Sequence, residues 1–170
     1  MRKITLLLAF IGMISLNSCT VNEVRDTPVD NDTISEVFEV TRSFTASNNY
    51  SNLIVLPHTI YSSDMILVYR LSGVSGGTDV WKMQPETYFF NDGTLDFGYD
   101  FDFTQYDVQL FMHGNDLGTV SNSFRINQVF RIVIIPAFFG KSASNTVDLN
   151  DYNAVIKAYN IDDSNIKVLK

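Results

Sequence analysis

The sequence predicts an all-β fold: a single antiparallel β-sandwich of about seven or eight strands, Ig-like or jelly-roll-like, with a short C-terminal α-helix. Three observations carry that expectation. From Ile34 onward, apolar and polar residues alternate with a period of two, which is the mark of half-buried strands. Thirteen Phe and eight Tyr, against few Lys and Glu, favour a pleated surface over a helix. Turn-forming strings (Asn48-Asn49, Asn91-Asp92-Gly93, His113-Gly114-Asn115) separate the apolar runs.

In chain order, Phe38, Val40 and Phe44 alternate with Glu39, Thr41 and Ser43, with Arg42 interrupting the apolar side of a first strand. Residues 53–56, just before Pro57, form a short strand at a sheet edge, where proline is tolerated. Residues 65–71 (MILVYRL) are apolar on both faces and mark a central strand, and residues 73–77 form a Gly-rich loop. Residues 80–83 and 87–90 flank Pro85, so they form one bulged strand or two short ones.

The cleanest alternation follows. Leu95, Phe97, Tyr99, Phe101 and Phe103 face one way, and Asp96, Gly98, Asp100 and Asp102 the other. Tyr106, Val108, Leu110 and Met112 repeat the pattern. Phe124, Ile126, Phe130, Ile132 and Ile134 form a last long strand, with Val129, Val133 and Ile135 apolar on its far side. The tail then changes period: Tyr152, Val155, Ile156 and Tyr159 stand at i, i+3, i+4 and i+7, one apolar helical stripe. Asp148 or Asn150 is placed to cap its start and Asn160 its end, with the stripe packed on a sheet edge or an open end of the sandwich.

The chain divides into residues 1–18, a signal peptide; residues 19–33, a lipid-modified cysteine and tether; and residues 34–170, the β-domain with its helix. Arg2 and Lys3 precede a 13-residue apolar run, Ile4 to Leu16. That run is too short for a spanning helix, which needs ~20 residues, and reads as a secretory signal. Leu16-Asn17-Ser18-Cys19 resembles the lipobox of bacterial lipoprotein signals, with Leu at −3 and a small Ser at −1. The resemblance implies that the Cys19 thiol receives a diacylglycerol, that cleavage precedes Cys19, and that the new amine is acylated. Several acyl chains at ~0.8 kcal/mol per buried CH₂ make such an anchor permanent. Cys19 is the only cysteine, so no disulfide forms within the mature chain. Residues 20–33 (TVNEVRDTPVDNDT) are poor in large apolar side chains and read as a flexible tether.

The chain carries 12 basic and 19 acidic residues, and losing Arg2 and Lys3 with the signal takes its formal charge from −7 to −9. Such a surface argues against nucleic acid and anionic head groups as partners, since both require clustered Lys and Arg.

No motif defines a catalytic centre. Gly73-Val74-Ser75-Gly76-Gly77 matches G-x-S-x-G, but a nucleophile elbow needs a strand-to-helix turn, and a strand-like segment follows here. Asp96, Asp100 and Asp102 share a strand face and are the weak candidates for Ca²⁺, against the simpler reading of a solvated face. His58 and His113 are isolated, and no nucleotide-binding or redox-cysteine motif is present, so no cofactor is expected. Trp81, Tyr88 and Phe89 offer a sugar-stacking platform, against the simpler reading of core residues.

Several strings in the body resemble a family of small Bacteroidota lipoproteins, some with a collagen-like stretch after the lipidated cysteine. They are Ala46-Ser47-Asn48-Asn49-Tyr50, Leu67-Val68-Tyr69-Arg70-Leu71, Asp79-Val80-Trp81, Phe101-Asp102-Phe103-Thr104-Gln105-Tyr106-Asp107-Val108, and Asn127-Gln128-Val129-Phe130-Arg131 running on to Pro136-Ala137. The collagen-like stretch is missing here, so any oligomerisation tied to it is not implied. The resemblance implies a cell-envelope location and supplies no activity. Thr20 at +2, in place of the Asp of inner-membrane retention, favours the outer membrane, on its periplasmic or surface face. The sequence thus leads to a non-enzymatic envelope module that binds a glycan, a peptide or a partner protein. The alternatives are a structural spacer, or a hydrolase using Ser75 or a pair such as Asp100 and Asp102.

Overall fold

The computed structural model describes residues 34–137 and 147–170, so the signal, Cys19 and the tether lie outside the described residues. The strands are β1 (Glu36–Arg42), β2 (Ser51–Val55), β3 (Met65–Ser75), β4 (Thr78–Met83), β5 (Glu86–Phe89), β6 (Leu95–Phe103), β7 (Asp107–Gly114), β8 (Gln128–Ile135) and β9 (Lys167–Val168). Among the described residues, the 3-10 turn Ala46–Asn48 and two short α-helices, α1 (Asn122–Arg125) and α2 (Tyr152–Ala158), interrupt them.

The strands form two sheets, one of five in the order β4-β3-β8-β1-β9 and one of four in the order β2-β7-β6-β5. The fold is an all-β sandwich, as the alternation predicts. Every pairing is antiparallel except the short parallel contact of β9 with β1, a strand the sequence pattern does not show. β2 is the edge strand expected from Pro57.

Apolar burial occurs in two layers, and this explains the unusual composition of β3 and β8. Between the sheets lie Phe38, Val40, Val68, Phe130 and Ile132 from one side and Phe97, Tyr99, Val108 and Leu110 from the other. On the outer face of the five-stranded sheet, Leu67, Tyr69, Val133 and Ile135 pack with Tyr152, Val155 and Tyr159 of the tail. A strand covered on both faces gains nothing from alternation and reads as a continuous apolar run. The α2 stripe therefore lies across the outer sheet face, where a large apolar area awaited it, and not on an edge or open end.

Other details differ from expectation for local reasons. β3 continues to Ser75, with a bulge between Leu71 and Gly73, so only Gly76 and Gly77 form the turn. Their φ values of +59° and +82° suit a tight two-residue hairpin that glycine enters without strain. The run around Pro85 is two strands lying in different sheets, β4 and β5. The long strand expected from Phe124 begins at Gln128, because α1 and Asn127 at φ +52° break the chain first. Asp151 caps α2 by accepting from the Ala154 amide at 3.1 Å, in place of Asp148 or Asn150, while Asn160 at φ +52° ends it as expected.

The two ends of the sandwich are distinct. Glu36 pairs with Ile134 and Met65 with Ile135, so β1 begins, β3 begins and β8 finishes at one end, called here the entry end. Two loops close it: the Leu56 amide donates to the Tyr106 carbonyl at 2.8 Å and the Ile60 amide to the Gln105 carbonyl at 2.9 Å. The β3–β4 turn lies at the opposite, far end.

Candidate functional site

β4 and the start of α2 meet through side chains that lie far apart in sequence. Tyr152 is anchored on the outer sheet face by edge contact with Tyr69, at 5.3 Å between ring centroids, and it meets Trp81 of β4 at 5.6 Å. The Tyr69 hydroxyl donates to the Leu149 carbonyl at 2.7 Å, which holds the segment leading into α2 against the sheet. Arg131 of β8 lies over both rings, its guanidinium 4.1 Å from the Trp81 ring and 5.0 Å from that of Tyr152. It is oriented by Glu39 at 3.2 Å and Asp163 at 3.6 Å. A guanidinium so placed over the aromatic rings packs against the indole and favours its observed position.

This meeting leaves a cleft of about 360 Å³ between β4 and α2. Trp81 and Tyr152 provide its aromatic wall, and Asp79, Asp148, Asn150, Asp151 and Asn153 its polar rim. Two rim carboxylates are already engaged. Asp148 accepts from the Asn150 backbone and side-chain amides at 2.9 and 3.0 Å, and these bonds hold its carboxyl below the usual aspartate value. Asp151 serves as the α2 cap. Among the described residues, the Asp79 carboxylate and the Asn153 amide have no protein partner. Burial pushes the Tyr152 hydroxyl well above its ordinary pKa, so it stays a neutral donor, spent on Asp163 at 3.0 Å.

A second hollow of about 360 Å³ opens over Arg70 and Gln128 near the far end. Its polar floor is fully used within the protein. Arg70 donates to Glu86, Tyr88 and Gln128, and Gln128 donates in turn to the Ser123 and Ile126 carbonyls. This arrangement ties the sheets together and commits Arg70 and Gln128 to partners within the protein.

The residues singled out by sequence fall in separate places. Ser75 ends β3 opposite Thr78, followed by the glycine turn and another strand, with no helix to lift it. Neither histidine hydrogen-bonds it: His58 meets Glu36 at 2.6 Å, and His113 stands opposite Gly98. Asp96, Asp100 and Asp102 lie along β6, and among the described residues no group of three His, Cys, Asp or Glu is placed to hold a metal ion.

The expected Trp81–Tyr88–Phe89 platform does not assemble. Trp81 lies on the outer face of one sheet, whereas Tyr88 turns into the core of the other and stacks on Phe97 at 4.5 Å. Phe89 stays exposed. Asp79, Asn150 and Asn153 were missed, because only the docking of α2 brings them beside Trp81. The one signal was the density of Asp and Asn ahead of the helix, which also reads as capping.

No protein-family model, characterised protein or solved structure matches this chain, so the functional reading rests on its own residues. Among the described residues, no helix is long and apolar enough to cross a membrane.

Proposed function

We propose that this chain is a lipid-anchored, non-enzymatic binding module of the bacterial cell envelope, of the Bacteroidota lipoprotein type, whose β4–α2 cleft recognises a neutral glycan. The observation that supports this most is the pairing of Trp81 and Tyr152 with the unpartnered Asp79 carboxylate and Asn153 amide in one cleft. A sugar ring presents apolar C–H groups that pack against aromatic side chains, and hydroxyls that both donate and accept. Asp79 supplies an acceptor and Asn153 both roles. A ligand of purely cationic character would leave the amide donor of Asn153 unmatched.

Trp81 is the only tryptophan, so its emission reports the cleft directly. Titration with neutral oligosaccharides is expected to give a saturable emission change that is weakened by Asp79→Asn and Asn153→Ala. Saturation by basic peptides, with no response to any glycan, would overturn the glycan assignment.

A further inference from the structure

The turn between β6 and β7 is held rigidly by Thr104. Its hydroxyl donates to Asp107 at 2.8 Å and accepts from the Tyr106 amide at 3.1 Å. The turn therefore presents Tyr106, 59% exposed, beside Phe103, 44% exposed. The loop after β2 lies against it and adds Tyr61, 55% exposed, next to Val55 at the end of β2, 69% exposed. That loop is pinned in turn, since Asp64 accepts from the Tyr61 amide at 2.9 Å and from the Ala137 amide at 3.2 Å. Tyr61, Phe103 and Tyr106 share a groove of about 330 Å³, and Tyr106 also borders a neighbouring one of about 270 Å³ with Val55 and His58. Three exposed aromatic rings are thus clustered on pinned loops, and such patches mark surfaces that meet something apolar.

The chain reaches the domain at this same end. Ile34, the first described residue, is exposed, and it leads into Glu36, which is bonded to His58 of the aromatic end. Fourteen residues separate Cys19 from Ile34. They reach at most ~46–50 Å, so a lipid on Cys19 holds this end within reach of the bilayer at high effective concentration. Neither groove contains Lys or Arg, which leaves ring insertion, not charge, as the means of contact. Tyr and Phe suit the head-group region, where one part of the ring is apolar and the hydroxyl stays wet.

We propose that the entry end of the sandwich docks on the bilayer carrying the Cys19 lipid, with Tyr106, Phe103 and Tyr61 seated among the head groups. This rests on the lipid-anchor reading above. It also orients the candidate cleft, because β3 runs 11 residues, ~36 Å, from Met65 at the docked end to Ser75 at the far end. Asp79 pairs with Val74 near that far end, so the β4 side of the cleft lies away from the docked end.

The test uses the full-length protein purified from membranes and placed in phosphatidylcholine vesicles. A solvent-sensitive dye is attached to Gln105→Cys or, for contrast, to Thr78→Cys, and intact mass reports acylation of Cys19. Docking is expected to give blue-shifted emission, quenched by spin-labelled lipid, at position 105 and not at 78. That signal is expected to be lost when Phe103→Ser and Tyr106→Ser are added, with the far-UV circular dichroism unchanged. An acylated protein whose dye at 105 remains in water overturns the docking and leaves the anchor standing. A mass without acyl groups overturns the anchor and the docking with it. A shift that grows with protein density and resists spin-labelled lipid marks contact between copies, and also overturns docking.

Discussion

Arg70 of β3 and Glu86 of β5 join the two sheets through one carboxylate oxygen, which accepts from the arginine Nε at 3.0 Å and from an Nη at 2.9 Å. The other Glu86 oxygen accepts from the Tyr88 hydroxyl at 2.7 Å and from Lys82 Nζ at 3.0 Å. Tyr99 closes the site from below, its ring centroid 4.8 Å from the guanidinium carbon, while its own hydroxyl donates to the Phe124 carbonyl.

Glu86→Ala leaves the buried Arg70 charge unpaired and is expected to cost about 3–5 kcal/mol, read as a lower urea midpoint. The double variant Arg70→Met, Glu86→Leu removes both charges and is expected to recover most of that loss. Equal destabilisation by the two variants would show that the pair contributes packing only.

The same carboxylate sets an acid limit. Burial pushes the Glu86 carboxyl up, but hydrogen bonds from Tyr88 and Lys82 and the charge of Arg70 outweigh it and leave the pKa below the ordinary 4.5. A folded-state pKa lowered in this way adds stability above pH 4.5 that is lost as pH falls through the folded value. Urea midpoints measured from pH 6 downward are expected to fall through this window in the parent and to fall less in the Arg70→Met, Glu86→Leu protein. Burial and the Glu86 bond push Tyr88 up to about 12, so its hydroxyl remains a donor throughout.

His58 behaves in the opposite sense. The hydrogen bond to Glu36, partly opposed by burial, raises its pKa above 6.5. Its contribution is present below pH 6.5 and disappears as pH rises through the higher folded value. Both partners are substantially exposed, so the effect on stability is small and NMR titration is the better probe. Glu36→Gln is expected to move the His58 midpoint down; an unchanged midpoint would mean the pair does not persist in solution.

Gly98 is required by close approach and not by an unusual φ. A Cβ there would lie 2.5 Å from the His113 ring and 2.9 Å from the Glu86 carbonyl oxygen. The ring can move aside, but the carbonyl belongs to the β5–β6 ladder. Gly98→Ala is expected to cost about 1–3 kcal/mol in urea unfolding. His113→Ala should relieve only the ring clash, so full rescue by that second change would show the backbone contact to be harmless.

A fluorophosphonate probe is expected to leave Ser75 unlabelled, since no histidine activates it and it ends a hairpin strand. Labelling that vanishes in Ser75→Ala would restore the hydrolase alternative.

Much of this architecture is visible in the sequence because alternation is a local property. Phe97 and Tyr99 face the core while Asp100 and Asp102 do not, and no distant residue is needed to say so. The tail helix is equally legible, since Tyr152 and Val155 already share one face at helical spacing. The residues at the ends of elements were harder to place. Phe124 continues a strand-like spacing on paper, yet α1 and a left-handed Asn127 interpose before β8.

The candidate cleft was barely legible. Trp81 stood out as an aromatic, but the sequence grouped it with Tyr88 and Phe89, its neighbours along the chain. The chain crosses from one sheet to the other at Gln84-Pro85 and separates them. Its true companions, Tyr152 and Asn153, come from some 70 residues away. By itself, the sequence determined where most of the strands lie, which face of each is apolar, and that β3 and β8 are apolar on both faces. Only the tertiary structure decided what supplies that cover. Burying the outer face of the five-stranded sheet draws α2 across it, and that packing sets Asp79, Trp81, Tyr152 and Asn153 around one cleft. Alternation is fixed within a few residues, whereas a meeting of distant side chains depends on how whole layers bury their apolar area.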